Sequence, residues 1–466
     1  MNVRNTVKSL LKSVVPENVL RLKRCIGIVR SLHKRFDSAG YVPTQEDMNQ
    51  MALIRRTYKK IAVLQMPCRN IGGMGLMYQW LCEHRASDTL YLFYREHFDH
   101  SKKIPNVFLE KLICRDLVDM EENLSFWLRV LKMCFWKVES LDFGDAYRSG
   151  IGISRQFYAG KGAYRYDADS RQTGYFSFTE QEIREGNEIL DQLKVAPADY
   201  VCLFARDATY YNQFYDERFL DETKWANELT ARYRDSDIER FQSVAAYLHG
   251  RGLSCVRMGA AVSKRDPLAH MADYTNEKRS DFGDVYVFSN AKFFLGDPSG
   301  IFVFPLLARK PIAFTNVSSF FSAGDSQSEG TLMIYKKFYH PSNDRYLTLR
   351  EILEIHVRLL QEHREENLTL CFWKWLSENG YIAISNSEAE INELAEEMLH
   401  ILDRNVSYTD EEMALKRKYK SIMYEYIVKD EFLAVCAEIG AKWIAKNAWF
   451  LESASSEHLS GERVST

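Results

Sequence analysis

The stretch Asp281 to Asn316, DFGDVYVFSNAKFFLGDPSGIFVFPLLARKPIAFTN, limits the fold more than any other part of the chain. Phe293, Phe294 and Leu295 form a short apolar run, and Gly296-Asp297-Pro298-Ser299-Gly300 breaks it. Ile301 to Leu307 is apolar again and too long for a turn, and Pro311 to Phe314 is a further short run. Strand, tight loop, buried helix, strand is the punctuation of a βαβ unit. In such a unit the loop at the carboxyl end of the strand faces the ligand crevice. Gly296 and Gly300 let the backbone approach a bound group, Ser299 offers a hydroxyl, and the amides opening the next helix would face an anion. That combination suits a diphosphate. The same residue types also build ordinary turns, and a serine before an apolar helix often serves only as its cap.

The pattern recurs. Ile61 to Leu64 reads as a buried parallel strand, and Gln65 to Gly75 as a polar, glycine-rich loop. Leu76 to Arg85 follows as a helix and Thr89 to Phe93 as a second strand. Asn70, Gly72 and Gly73 would then sit at the ligand edge of a first Rossmann-like half, cradling an acceptor or making a turn, although the dinucleotide fingerprint is not matched. Leu124 to Val138 reads as an apolar core helix. Tyr158 to Tyr175, with Arg165, Tyr166 and Arg171, reads as a surface loop.

Further on, Thr179 and Glu182 form a capping box opening a helix to about Leu193, and Tyr200 to Phe204 is a compact strand. A parallel sheet would place Arg206 at the crevice, where its fork suits phosphate or carboxylate. Asp207 is a candidate base, an ion partner or a cap. Asp235 to Leu248 reads as a helix and Leu253 to Val256 as a strand, with Arg257 at its exit and Lys264 just beyond. Asp284 to Phe288 reads as a strand-like run. Lys336 and Lys337 follow the apolar Leu332 to Ile334. Helices are expected over Leu349–Glu362, Glu388–Leu402, Glu411–Tyr426 and Asp430–Leu451, and an extended piece over Tyr381–Ser385.

With 466 residues the chain is too long for one ordinary core, and a formal net charge of -3 does not suggest nucleic-acid binding. Its nine cysteines form no CxxC pair, which fits reduced usage on the cytosolic side rather than a disulfide framework or zinc site. No apolar run is long enough to cross a bilayer. Residues 1–35 carry nine basic side chains against one acid, Glu17. Two short basic amphipathic helices hinged near Pro16 fit this segment, either on an anionic membrane face or packed on the body of the protein.

Four segments carry a family resemblance: VCLFARDATY, YRDSDIERFQSVAAYLHGRGLSCVRMG, FFLGDPSGIFVFPLLARKPIAFTN and YIAISNSEAEINELAEEML. Over about residues 195 to 400 the chain resembles a family of glycosyltransferases from bacterial surface-carbohydrate loci. The amino-terminal half matches only in its layout of strand and glycine loop. The resemblance implies two Rossmann-like lobes (GT-B-like) facing a cleft, with the nucleotide-sugar donor held mainly by the second. Relatives often show histidine ahead of the strand-exit arginine, where this chain has Phe204 and Ala205.

The expected layout is α/β, with a basic amphipathic extension over 1–55 and an acceptor lobe over 56–180. A donor lobe follows over 181–400, then helices packing across the lobes over 401–452 and a disordered tail over 453–466. The expected activity is transfer of a sugar from a nucleotide-diphosphate donor to a glycan or lipid-linked acceptor in surface polysaccharide biosynthesis. A noncatalytic sugar- or nucleotide-binding module of an assembly complex, and a sugar-nucleotide epimerase, are the alternatives. Arg206, Arg257, Lys264, Gly296, Ser299 and Gly300 are the donor-binding candidates; they would meet the charge of a leaving nucleoside diphosphate. Asp207 is the candidate base. No cofactor or metal ion is expected, because the string Asp167-Ala168-Asp169 lacks a preceding strand. The expected location is cytoplasmic, or peripheral on the inner face of the cell membrane.

Overall fold

The computed structural model describes residues 17–35, 42–66, 71–95, 105–115, 117–142, 174–264, 266–275, 279–318, 331–363, 367–430 and 437–452. Two parallel sheets organise them. The first contains β1 (Lys60–Met66), β2 (Thr89–Arg95), β3 (Val118–Asp119) and β4 (Val138–Asp142) in the order β3-β2-β1-β4. β1 is buried from Ile61 to Met66, as expected for a central strand covered on both faces.

The second sheet is larger. It holds β5 (Tyr200–Phe204), β6 (Ser254–Arg257), β7 (Met271–Asp273), β8 (Phe293–Gly296), β9 (Ile312–Val317) and β10 (Leu332–Tyr335). A small antiparallel sheet, β11 (Lys337–His340), β12 (Arg345–Tyr346) and β13 (Ile382–Ile384), stands beside it. The short β14 (Glu438–Ile439) completes the large sheet, whose order is β14-β10-β9-β8-β5-β6-β7 and whose pairings are all parallel. The chain is thus an α/β protein of two Rossmann-like lobes with helical extensions at each end.

The lobes meet through helices. Ile71–His84 of the first lobe lies against the turn Gly300–Phe302 and the helix Val303–Leu307 of the second. Gly75 makes that approach feasible, since a Cβ there would overlap the side chain of Val303. The helix Val107–Cys114 packs on Asp281–Asn290, with the Phe108 and Phe282 rings 5.0 Å apart. Asn106 Nδ2 donates to the Asp281 carbonyl at 2.9 Å, the Val107 amide donates to Asp281 Oδ2 at 2.8 Å, and Lys111 pairs with Glu182 at 3.1 Å. One hydrophobic core runs from β1 and β2 through these helices into the second sheet.

Several expectations change. Asp284 to Phe288 is not extended but lies in the helix Asp281–Asn290, capped by the Ser280 side chain. All of Gly283 to Phe288 is buried, so the residues show no amphipathic period to separate helix from strand. The apolar run Leu124–Val138 divides into a helix ending at Met133, a 3₁₀ turn and the start of β4. Asp235 to Leu248 divides into the turn Ile238–Phe241 and the helix Gln242–Gly250. Residues 430–451 are not one helix: β14 and the helix Ala441–Lys446 lie there. The C-terminal helix Asp410–Asp430 makes its main contacts within the second lobe, rather than across both lobes. Its Tyr419 meets Tyr335, and Glu425 pairs with Arg350. At the other end, the helix Glu17–Arg35 packs on the first lobe through Cys25, Val29 and Leu32; residues 1–16 lie outside the described residues.

Candidate functional site

The second sheet has a topological switch point between β5 and β8. From β5 the chain builds outward through β6 and β7, then returns to place β8, β9 and β10 on the other side. Loops at the carboxyl ends of two such strands diverge and leave a crevice. Ala205–Asp207 leaves β5 there and Asp297–Gly300 leaves β8. Gly296 is required by close approach, since a Cβ would overlap the backbone carbonyl oxygen of Phe204. That carbonyl also accepts from the Asp297 amide at 3.0 Å.

Asp297 anchors the crevice and is 1% exposed. It accepts from the Arg206 amide at 2.9 Å, from Thr315 Oγ1 and Asn316 Nδ2 at 2.8 Å each, and from the Ser236 hydroxyl. Three segments are thereby tied to one carboxylate: the exit of β5, the stretch at Ser236 and β9. Ser299 occupies the capping position of the following turn but makes no side-chain cap, so its hydroxyl is not spent on the local backbone. A Cβ on Gly300 would stand 3.3 Å from the Gly72 amide nitrogen, which puts the opening of the first-lobe helix across from this loop.

Arg206 is buried, and its NH1 pairs with Asp235. Arg206, Asp207, Ser299 and Gly300 line one cavity of about 110 Å³ with Ile71, Tyr210, Arg234 and Asp284. Arg206 and Asp207 also line a second cavity of about 300 Å³, together with Arg257, Ser263 and Lys264. The two adjoining cavities therefore bring the arginines, Lys264, Ser299 and Gly300 to one edge of the sheet. Gly296 lies beneath that edge as part of β8.

Of the roles its sequence position allowed, Asp207 takes one nearest to the cap. Its Oδ1 accepts from the Thr209 amide and hydroxyl at 2.8 and 2.6 Å, and its Oδ2 from the Ser263 amide and hydroxyl at 2.7 and 2.6 Å. Burial raises its pKa, but these bonds outweigh burial and hold the carboxyl below its ordinary value. It clasps two loops, and a carboxyl held in this way is poorly suited to take a proton. Gly72 and Gly73 also move: they lie buried in the first turn of the helix Ile71–His84, not in a loop. Asn70 falls outside the described residues, as do Arg165, Tyr166, Asp167, Asp169 and Arg171. Tyr175, at the end of that stretch, receives Arg309 on its ring at 4.9 Å.

Three further side chains matter that spacing did not single out as site residues. Arg234 reaches the Pro298 carbonyl at 2.9 Å and braces the Ser299 loop. Asp284 lines the first cavity, accepts from Arg279 at 2.6 Å, and burial pushes its carboxyl up to about 6 against the pull of that arginine. Lys336, which the sequence placed only after an apolar run, is 2% exposed and donates to the Asp235 carbonyl at 2.6 Å. Burial lowers its ammonium to about 8; Asp297 opposes the change while Arg206, Arg234 and Arg240 add to it. Between about pH 8 and the ordinary lysine value the unfolded chain therefore holds a proton that the folded chain has lost. Folding is penalised below that window, and stability rises with pH through it. The stability advantage of Lys336→Met over the parent is expected to be largest below pH 8 and to shrink toward pH 10 and above, as read by denaturant unfolding at each pH. An advantage that does not change with pH would contradict the burial of this charge.

Among the described residues, no group of three or more His, Cys, Asp or Glu side chains is placed to hold a metal ion. No helix among them is long and apolar enough to cross a membrane.

No protein-family model matches the chain, and no curated protein matches it. Solved structures do. A glycosyl transferase family 9 protein from Veillonella parvula aligns with a TM-score of 0.41 at 12% identity, covering 73% of this chain and 98% of that one. The Escherichia coli ADP-heptose LPS heptosyltransferase II aligns with a TM-score of 0.35 at 13% identity, covering 65% and 99%. The iron-containing dodecameric glycosyltransferase TibC of enterotoxigenic E. coli aligns with a TM-score of 0.33 at 13% identity, covering 74% and 77%.

Proposed function

We propose that this protein is a glycosyltransferase that moves a sugar from a nucleotide-diphosphate donor to a glycan or lipid-linked acceptor in surface polysaccharide biosynthesis. One observation carries the reading: at the switch point of the second sheet, Arg206, Ser299 and Gly300 share a cavity that the first lobe closes from the other side with Ile71. The donor lies with its diphosphate at the Ser299 loop, where hydroxyl, amides and arginines meet the charge that develops as the sugar–phosphate bond breaks. The acceptor hydroxyl attacks the anomeric carbon from the first-lobe side.

Asp284 replaces Asp207 as the proposed base. It lines the same cavity, and with a pKa of about 6 it is mostly ionised at neutral pH and able to take the hydroxyl proton. Arg279 orients it. The clasped state of Asp207 also lends support to a second reading, a noncatalytic nucleotide-binding module. Because Cys25, Val29 and Leu32 are spent on the first lobe, residues 1–35 are proposed to meet an anionic membrane surface on the cytoplasmic side by charge alone, through basic side chains such as the exposed Arg30 and Lys34, and no resident cofactor is proposed.

A panel of UDP-, GDP- and CDP-sugars separates these readings. The transferase reading expects slow release of nucleoside diphosphate from one donor without acceptor, with a rate that rises as pH passes through about 6. Binding with no release across a broad acceptor panel favours the module. Conversion of the sugar with its nucleotide still attached identifies an epimerase.

A further inference from the structure

The charges lining the second cavity pair off until one is left. Arg206 is met by Asp235. Lys264 is met by Asp237 at 3.0 Å and by Glu239 at 2.9 Å. Asp207 is satisfied by Ser263 and Thr209. Arg257, at the end of β6, is 3% exposed, and its NH1 has no hydrogen-bond partner among the described residues. A buried guanidinium with an open N–H is costly unless something completes it, and its planar fork fits a carboxylate or a phosphate. Ser299 and Gly300 line the neighbouring cavity, and the shared wall between the two is Arg206 and Asp207. A diphosphate seated on the Ser299 loop is thus separated from Arg257 by that wall.

We infer that the second cavity takes a second anionic group, a phosphate or carboxylate carried by the transferred sugar or by the acceptor, and that Arg257 is its main contact. This removes Arg257 from the diphosphate-binding set and makes it a specificity residue for a charged substrate. The inference rests on the proposed donor reading only for what fills the first cavity.

Inorganic phosphate is the probe, titrated by calorimetry into the full chain with and without a saturating nucleoside diphosphate (uridine, guanosine or cytidine, whichever binds). Phosphate is expected to bind in both cases. Arg257→Gln is expected to weaken phosphate about tenfold or more while nucleoside diphosphate affinity stays within about threefold. Competition between phosphate and the nucleoside diphosphate would overturn the inference, as would phosphate binding that Arg257→Gln leaves unchanged. If no nucleoside diphosphate binds, the donor reading fails by itself, and the phosphate titration still decides the role of Arg257.

Should Arg257→Gln not fold, Lys264→Gln at the half-exposed rim takes its place. It is expected to weaken phosphate by about threefold, and unchanged binding again counts against the site. A preference for UDP-glucuronate over UDP-glucose that disappears in Arg257→Gln assigns the anion to the sugar. Equal binding of the two, with phosphate still bound, assigns it to the acceptor.

Discussion

Asp297→Ala is expected to lower stability by about 4 kcal/mol or more, and to abolish nucleotide binding, because it orphans three buried donors and a half-buried hydroxyl at once. The Arg206 amide, Ser236, Thr315 and Asn316 all donate to this carboxylate, which is 1% exposed. Asp297 also counters the burial that lowers Lys336, so its removal pushes that ammonium further down. Asp297→Asn keeps the shape and one acceptor oxygen. That oxygen can still serve Thr315 and Asn316, whereas the new amide group faces the Arg206 N–H. A smaller cost of about 1–2 kcal/mol follows. Denaturant unfolding of the two variants checks the order. Equal, small losses would show that Asp297 does not hold these segments together.

The second large effect concerns the contact between lobes. Gly75→Ala places a methyl where the branched Val303 side chain stands, and valine in a helix has little rotamer freedom to retreat. The helix Ile71–His84 must move away from Val303–Leu307, which widens the crevice between Ile71 and Ser299. Overpacking of this kind costs about 1–3 kcal/mol. A shift near 1 Å between reacting groups costs about a hundredfold in rate. Transfer should therefore fall much further than stability, and Val303→Ala in the same chain should restore most of it. Failure of the second substitution to rescue transfer would mean that the first acts elsewhere than at this contact.

The architecture was legible where local signals and burial agreed. Phe293 to Phe314 announced β8, the loop, a short helix and β9, because an apolar run bounded by Gly-Asp-Pro-Ser-Gly has few other solutions. Thr179 with Glu182 fixed the start of the helix Glu180–Leu193 for the same local reason. Where every face is buried the period vanishes, and Asp284–Phe288 was misread as extended. β14 was hidden because two residues beside a helix carry no strand pattern of their own; they pair with β10 only after the chain has folded. The site was legible as positions and not as roles. A parallel sheet places Arg206, Arg257 and Ser299 at one edge, but whether a charge is free or spent depends on partners distant in sequence. Asp207 is spent on Ser263, Arg206 shares its guanidinium between the cavity and Asp235, and Asp284 acquires its raised pKa from tertiary burial.

The central claim is that the carboxyl edge between β5 and β8 receives a nucleoside diphosphate. The most direct measurement is a structure of the chain with the nucleoside diphosphate selected from a binding panel. The account predicts the diphosphate between the ends of β5 and β8, with its oxygens about 2.7–3.2 Å from the Ser299 hydroxyl and the Gly300 amide. A nucleotide seated away from that edge, or no binding by any member of the panel, would contradict it.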